Sequence, residues 1–441
     1  MLMGVLLRFT LMPYFSDPYD LGTYCSSVIW FVNGYNPYAV YASLYPPFIY
    51  FITFPIFNIA YWIGLSPGYH YVASAANTGA FTGMVSPNQV NPTFLFLWKI
   101  PNLCFDLLTG LLIYRFAKEL TDNPKMPKRA FILWFFNPLT LTISYLHGAF
   151  DVIAAFFIIL GTYLLYKQKC FPAGLSFGLG ILTKLSPLYV SFPFAVMTLL
   201  KDTPNRPIIH TLKANMQTFT KFAAGLAAPL LLFSPMLIEY FHLMLFGVAS
   251  ESSLGGLNQW FFAVNPKWGW RATQISAEIV QKIFLFYPII ISIICLILLR
   301  KWNYKQNSKK TLFTATLFTC LIYLFIPTTV QPQYLLWILP LLVTLSTINR
   351  KFLLPLSLVS FAGTAFYLSV QSPYAILYPL AIYTPLYTPE QVSANIIYYM
   401  KLPGIISPLL QLDLLLIFGG IGFAGELLTI YYTLKSIRQG D

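Results

Sequence analysis

Two carboxylates, Asp17 and Asp20, stand in the stretch FSDPYDLGTY (residues 15–24) of a chain that is only 9% charged. A carboxylate partly desolvated at an apolar surface has its pKa pushed up, toward the range of a general base. The pair therefore reads as a base with a polar companion. The alternative is an interfacial acid, with Asp20 as N-cap of a helix through Phe31. Asp151, in SYLHGAFDVIAAFF, stands at the mouth of an apolar run, where an ionisable group is costly and marks function by default; an exposed cap is the plainer reading. His147 lies four residues earlier. Lys184, in GILTKLSPLYVSFP, is sunk in apolar sequence, where a lysine either snorkels or neutralises an anion. Gln331, Gln333, Tyr334 and Trp337 open another apolar run in TTVQPQYLLWILP, where an aromatic belt with polar caps is the alternative. Asp106 lies inside an apolar run and needs a partner. Lys99, seven residues back on the same helical face, is the predicted one. Asp413 and Glu426 are further buried acids without an assigned role.

The elements that must position these groups are read from composition. A soluble domain is about 25% charged. This chain of 441 residues is 57% hydrophobic with a mean hydropathy of +0.66. Its long apolar runs are continuous, which predicts an all-α polytopic membrane protein and not a β-barrel with alternating segments. The net charge of +13 does not point to nucleic acid, because Lys and Arg cluster between the apolar runs as in cytoplasmic loops. The five Cys form no CxxC pair and read as small buried hydrophobes, so neither a disulfide framework nor a zinc site is expected. No cleavable signal peptide is expected either, since the first segment lacks a basic start and a small-residue cleavage site.

Spans are expected near residues 1–14, 94–117, 130–146, 151–166, 217–238, 276–299, 311–327, 333–348, 352–371 and 404–434. Residues 171–200, interrupted by Lys-Leu-Ser-Pro, are expected to form a hairpin of two half-length helices. Residues 48–64 are read as interfacial or re-entrant, with Tyr45-Pro46-Pro47 as the turn that begins them. The total is about twelve transmembrane helices in one domain, with a long first external loop (15–92) and a second large one (239–275). This arrangement leaves most Lys and Arg inside and collects Asp17, Asp20 and Asp151 outside.

In chain order, DLGTY with NGYNPY and YPP, then FDLLTGLLIYRF, NPLTLTISYLHGAFD, TKLSPLYVSFP and QYLLWILP resemble the GT-C superfamily of integral membrane glycosyltransferases. The resemblance is to its GPI mannosyltransferase I-like family and prokaryotic relatives, over roughly residues 4–340. The family's acidic pair is often Asp-x-Asp, whereas here it is Asp17-x-x-Asp20, and Asp20 matches the catalytic position. The resemblance implies a GT-C fold and an inverting transfer of a hexose, mannose above others, from a polyprenyl or dolichyl phosphate to a hydroxyl acceptor on the non-cytoplasmic face of a cell or ER membrane. Asp20 would be the base. Asp17, Asp151, His147, Lys184, Tyr45, Gln331, Gln333 and Tyr334 would bind donor or acceptor, with Lys184 and His147 facing the leaving phosphate. Relatives differ in using a divalent cation, so magnesium or manganese on Asp17 and Asp20 stays open. The acceptor stays open as well. The rival class is a transporter or flippase for a lipid-linked or polar solute, against which stands the lack of an internal repeat.

Overall fold

The computed structural model describes residues 2–38, 45–65, 91–199, 208–246, 317, 318, 321, 332–368, 375, 376, 379, 383–385 and 408–439. Among them every regular element is helical, and no strand occurs. The protein is an all-α membrane protein. The N-terminal part holds α1 (Leu2–Leu11), α2 (Pro18–Val32) and α3 (Phe48–Trp62). A central group follows: α4 (Pro92–Trp98), α5 (Ile100–Leu120), α6 (Lys125–Phe135), α7 (Pro138–Leu141), a π-helical turn (Thr142–His147) and α8 (Asp151–Tyr166). Then come α9 (Cys170–Ile181), α10 (Ser186–Leu199), α11 (Ile208–Leu232) and α12 (Ser234–Phe246). The C-terminal part holds α13 (Leu335–Ile348), α14 (Leu353–Phe366) and α15 (Pro408–Gln439).

Local chemistry explains several boundaries. In Asn91-Pro92 and Asn137-Pro138, the Asn side chain accepts from the amides of Thr93 and of Leu139 and Thr140, and Pro takes the first helical position. An N-cap oxygen satisfies an orphan N–H, and Pro has none to orphan. Gly34 follows α2 at φ +78°, a left-handed conformation that glycine adopts without Cβ strain.

Helices α8 and α13 are apolar on all sides and buried on nearly all of them, as a central helix must be. Small residues bring other backbones together. A Cβ on Gly174 of α9 would lie 2.0 Å from the Phe222 carbonyl oxygen, and one on Gly225 of α11 would lie 2.1 Å from that of Phe171. Such close approach is how membrane helices gain packing where lipid supplies no hydrophobic drive.

Two helical stretches, Pro92–Leu120 and Ile417–Ser436, are long and apolar enough to cross a membrane, and two bent pairs raise the number to four among the described residues. These are the members of the expected twelve that length and apolarity pick out among the described residues. The expected span 151–166 coincides with α8, but at 1.5 Å per residue its 16 residues measure about 24 Å, short of the hydrocarbon thickness. The expected hairpin at 171–200 is present as α9 and α10, broken at residues 182–185. The expected span 217–238 falls on one of the two bent pairs. The chain bends by 83° between α11 and α12, because Pro235 is tolerated in a first turn but cannot continue the preceding helix. The expected spans 276–299 and 311–327 lie outside the described residues, apart from 317, 318 and 321. So does most of the loop 239–275.

Candidate functional site

The N-terminal ends of α2 and α8, the end of the π-helical turn and the α9–α10 break carry the polar groups singled out above. Pro18 begins α2, so the cap is Asp17 and not Asp20: Asp17 Oδ1 accepts from the Asp20 amide at 2.9 Å, and its carbonyl accepts from Leu21 N at 3.0 Å. This frees the Asp20 side chain, in the first turn, to face another partner. That partner is His147, whose Nε2 lies 2.5 Å from Asp20 Oδ2. The Asp17 amide also donates to the His147 carbonyl at 2.9 Å, so backbone and side chain tie the same two segments. Gly148 ends the π-helical turn at φ +90°.

The second pair is Asp151 and Lys184. Lys184 Nζ donates to Asp151 Oδ1 at 2.6 Å, and Trp337 Nε1 donates to the same oxygen at 2.9 Å. Asp151 Oδ2 is buried without a hydrogen-bond partner among the described residues. Asp151 is therefore a buried acid and not an exposed cap. Its side chain is fully covered, whereas that of Lys184 is 20% exposed. Lys184 Nζ also lies 5.2 Å and 5.6 Å from the rings of Tyr334 and Trp337, which stack at 4.5 Å, a cation–π arrangement.

The two pairs share one neighbourhood. Burial pushes the Asp20 carboxyl up, but the facing His147 and the charge of Lys184 hold it below its ordinary value of 3.8. Burial first, then the charges of Asp20 and Asp151, raise the phenols of Tyr24 and Tyr45 well above the usual tyrosine value. Those two rings stack at 4.2 Å, and Phe150 packs edge-on to Tyr24 at 4.8 Å. Phe48 N donates to the Leu182 carbonyl at 2.8 Å, so the turn after Tyr45 is fastened to the α9–α10 break that holds Lys184. Asp17, Asp20, His147, Asp151, Lys184, Tyr45 and Tyr334 thus gather at one end of the helices. Gln333 is buried in the 3-10 turn Pro332–Tyr334, and Gln331 lies outside the described residues.

No family model matches the chain. A stretch of 117 residues is 29% identical to GPI mannosyltransferase 1 of Kluyveromyces lactis, covering 25% of this chain and 28% of that protein. A stretch of 129 residues is 32% identical to GPI mannosyltransferase 1 of Saccharomyces cerevisiae, covering 28% and 30%. Over that stretch the chain is similar to GPI mannosyltransferases. The matched stretch spans less than a third of either curated relative.

One expectation drawn from the sequence is overturned. Asp106 does not pair with Lys99. Its partners are Arg8 Nε at 2.6 Å, the Tyr145 hydroxyl at 2.7 Å and Trp134 Nε1 at 2.7 Å. Positions seven residues apart on one helical face are separated by about 10.5 Å along the axis, so a shared face does not bring the two groups together, and Lys99 Nζ turns to backbone carbonyls instead. The sequence alone gives Arg8 no role, and neither Trp337, singled out only as part of the apolar-run start, nor Tyr24 was among the residues expected to bind donor or acceptor. An aromatic one turn beyond a polar helix start was the available signal for each of the last two.

As for a cation, Asp17, Asp20 and His147 each offer one ligand atom within 4.8 Å of the others. Two carboxylates and an imidazole fit manganese better than magnesium, which favours an all-oxygen shell. The same atoms already serve the cap and the Asp20–His147 pair.

Proposed function

We propose that the protein transfers mannose from a polyprenyl or dolichyl phosphate to a hydroxyl acceptor with inversion, at the non-cytoplasmic face of a multi-pass membrane domain. The carrying observation is the Asp20–His147 pair set within electrostatic reach of the Asp151–Lys184 pair. The acceptor oxygen attacks the anomeric carbon, the bond from that carbon to the phosphate oxygen breaks, and the hydroxyl proton passes to Asp20. The phosphate departs as an anion without needing an acid, so a single carboxylate base suffices. Direct displacement inverts the anomeric centre, as in inverting glycosidases.

His147, bonded to Asp20, holds the carboxylate in one orientation. Lys184 neutralises the leaving phosphate. In a dry site one such preorganised donor is worth about 3 kcal/mol in the transition state. Asp151, with Trp337, fixes the ammonium, and the Tyr24–Tyr45 stack offers a face to a sugar ring. If a divalent cation takes part, Asp17, Asp20 and His147 would hold it, and its charge would screen phosphate oxygens. Charge supports the sidedness: in α8 the acid Asp151 opens the helix, while Lys167 and Lys169 follow its other end. Of the acceptors, the relatives' printed name favours a glycosylated inositol lipid.

The test is purified protein with polyprenyl-phosphate [14C]mannose and a panel of hydroxyl acceptors, followed by determination of the product anomer. The reading expects labelled product of inverted configuration. No transfer from any lipid-phosphate hexose, or retention of configuration, refutes it.

A further inference from the structure

Lys99 is fully buried at the α4–α5 break, and no carboxylate contacts it among the described residues. A buried ammonium without an anion is costly unless its donors are met. They are met here by backbone alone: Nζ donates to the Met12 carbonyl at 3.1 Å, the Tyr145 carbonyl at 2.8 Å and the Phe15 carbonyl. Lysine has three N–H donors, and each finds one acceptor.

The placement of those acceptors gives the group its meaning. Met12 and Phe15 belong to the strand of chain that leaves α1 and reaches Asp17 two residues later. Tyr145 lies two residues before His147. One ammonium therefore joins the segment that carries Asp17 and Asp20 to the segment that carries His147, and charge-assisted bonds of this kind are about twice as strong as neutral ones. The Asp17 N–H to His147 carbonyl bond closes the same junction. Gly148 supplies an independent observation. A Cβ there would lie 3.1 Å from Lys99 Cε, and Gly148 already needs φ +90°. The turn after His147 is thus shaped to admit the lysine stem.

We propose that Lys99 is a positioning residue for the proposed transfer: it sets the Asp20–His147 geometry by clamping the Met12–Phe15 and Tyr145 carbonyls, without touching substrate. This rests on the reading of Asp20 as base, but part of its test does not.

The experiment compares wild type with Lys99→Met, which keeps the stem and removes the donors, and with Lys99→Gln, which keeps two donors on a shorter neutral head. A Gly161→Ala control stresses the α8–α9 contact, where its Cβ would meet the Phe177 ring at 2.6 Å, far in sequence from the junction. Hydrogen exchange of residues 12–20 and 142–148 is measured without substrate. The inference expects faster exchange of the Asp17 amide in Lys99→Met, an intermediate rate in Lys99→Gln and no local change in the control. Where transfer is measured, kcat falls by about 10²-fold at near-constant KM in Lys99→Met, the scale of a small misplacement of reacting groups, and the acid limb of its pH profile rises as Asp20 loses His147. Unchanged Asp17 protection in both Lys99 variants overturns the inference. So does a loss of activity equal at every pH and matched by the control. If wild type transfers no sugar, the function reading fails while hydrogen exchange still decides the role of Lys99.

Discussion

His147 Nε2 sits 2.5 Å from Asp20 Oδ2, although 127 positions separate the two residues. The contact joins the first turn of α2 to the end of the π-helical turn. It turns an acid that could have been a solvated cap into a carboxylate that is oriented and still 22% exposed. A general base needs both properties: a fixed lone pair and a route for the hydroxyl it deprotonates. The interaction also decides the direction of the pKa, since burial alone would raise it and His147 reverses the result.

The pH dependence of transfer follows from that sign. A carboxylate held below 3.8 is ionised throughout the neutral range, so kcat/KM falls only on the acid side, as Asp20 takes up its proton. Its contribution to stability is present above the unfolded pKa and is lost as pH falls through the lowered folded one. In His147→Gln the opposing charge is gone and burial dominates. The acid limb should then move to higher pH and kcat should drop about 10²-fold. A pH profile of kcat/KM for both proteins checks this.

Lys184→Ala should raise KM for the lipid-phosphate donor and leave KM for the acceptor nearly unchanged, because the ammonium is assigned to the phosphate. It also strands Asp151, a buried acid then held only by Trp337. Breaking one side of a buried pair costs about 3–5 kcal/mol. Lys184→Met with Asp151→Asn should recover most of that stability but none of the donor affinity. Thermal melts beside donor titrations separate the two effects.

Arg8→Met should lower Tm by removing the cation from Asp106, at a cost of about 3–5 kcal/mol. Arg8 and Asp106 are both fully buried, so solvent cannot replace the lost partner. Adding Asp106→Asn should recover part of the loss, since a neutral amide no longer needs the charge. A melting series over the two single variants and the double variant measures the coupling.

Gly225→Ala should loosen the α9–α11 contact. Its Cβ would fall 2.1 Å from the Phe171 carbonyl oxygen, a backbone atom that cannot rotate away. Overpacking of this sort costs about 1–3 kcal/mol. Melting of the purified variant reads it directly.

Much of this arrangement was legible in the sequence where local chemistry rules. Residues 151–166 were expected as one helix and form α8, because an acid and a pair of lysines bracket an unbroken apolar run. The Lys-Leu-Ser-Pro interruption announced the break between α9 and α10. Helix starts were misplaced where proline shifts them: Pro18 takes the first helical position, which makes Asp17 the cap and releases Asp20. The pairing of Asp106 was misread because a shared face is not a contact: Asp106 lies about 10.5 Å from Lys99 along the helix. Its true partner, Arg8, lies 98 positions away, a distance on which sequence spacing is silent. The same holds for Asp20 with His147 and for Asp151 with Lys184 and Trp337. Sequence named most of these side chains but not who faces whom.

The most direct test of the account is transfer of radiolabelled mannose from polyprenyl-phosphate mannose by Asp20→Asn beside wild type, with both confirmed folded by melting temperature. The isosteric amide keeps size and hydrogen bonding but cannot accept the acceptor's proton. The account predicts product with wild type and a fall of about 10³-fold or more in the variant. Turnover by Asp20→Asn within a few-fold of wild type would contradict it.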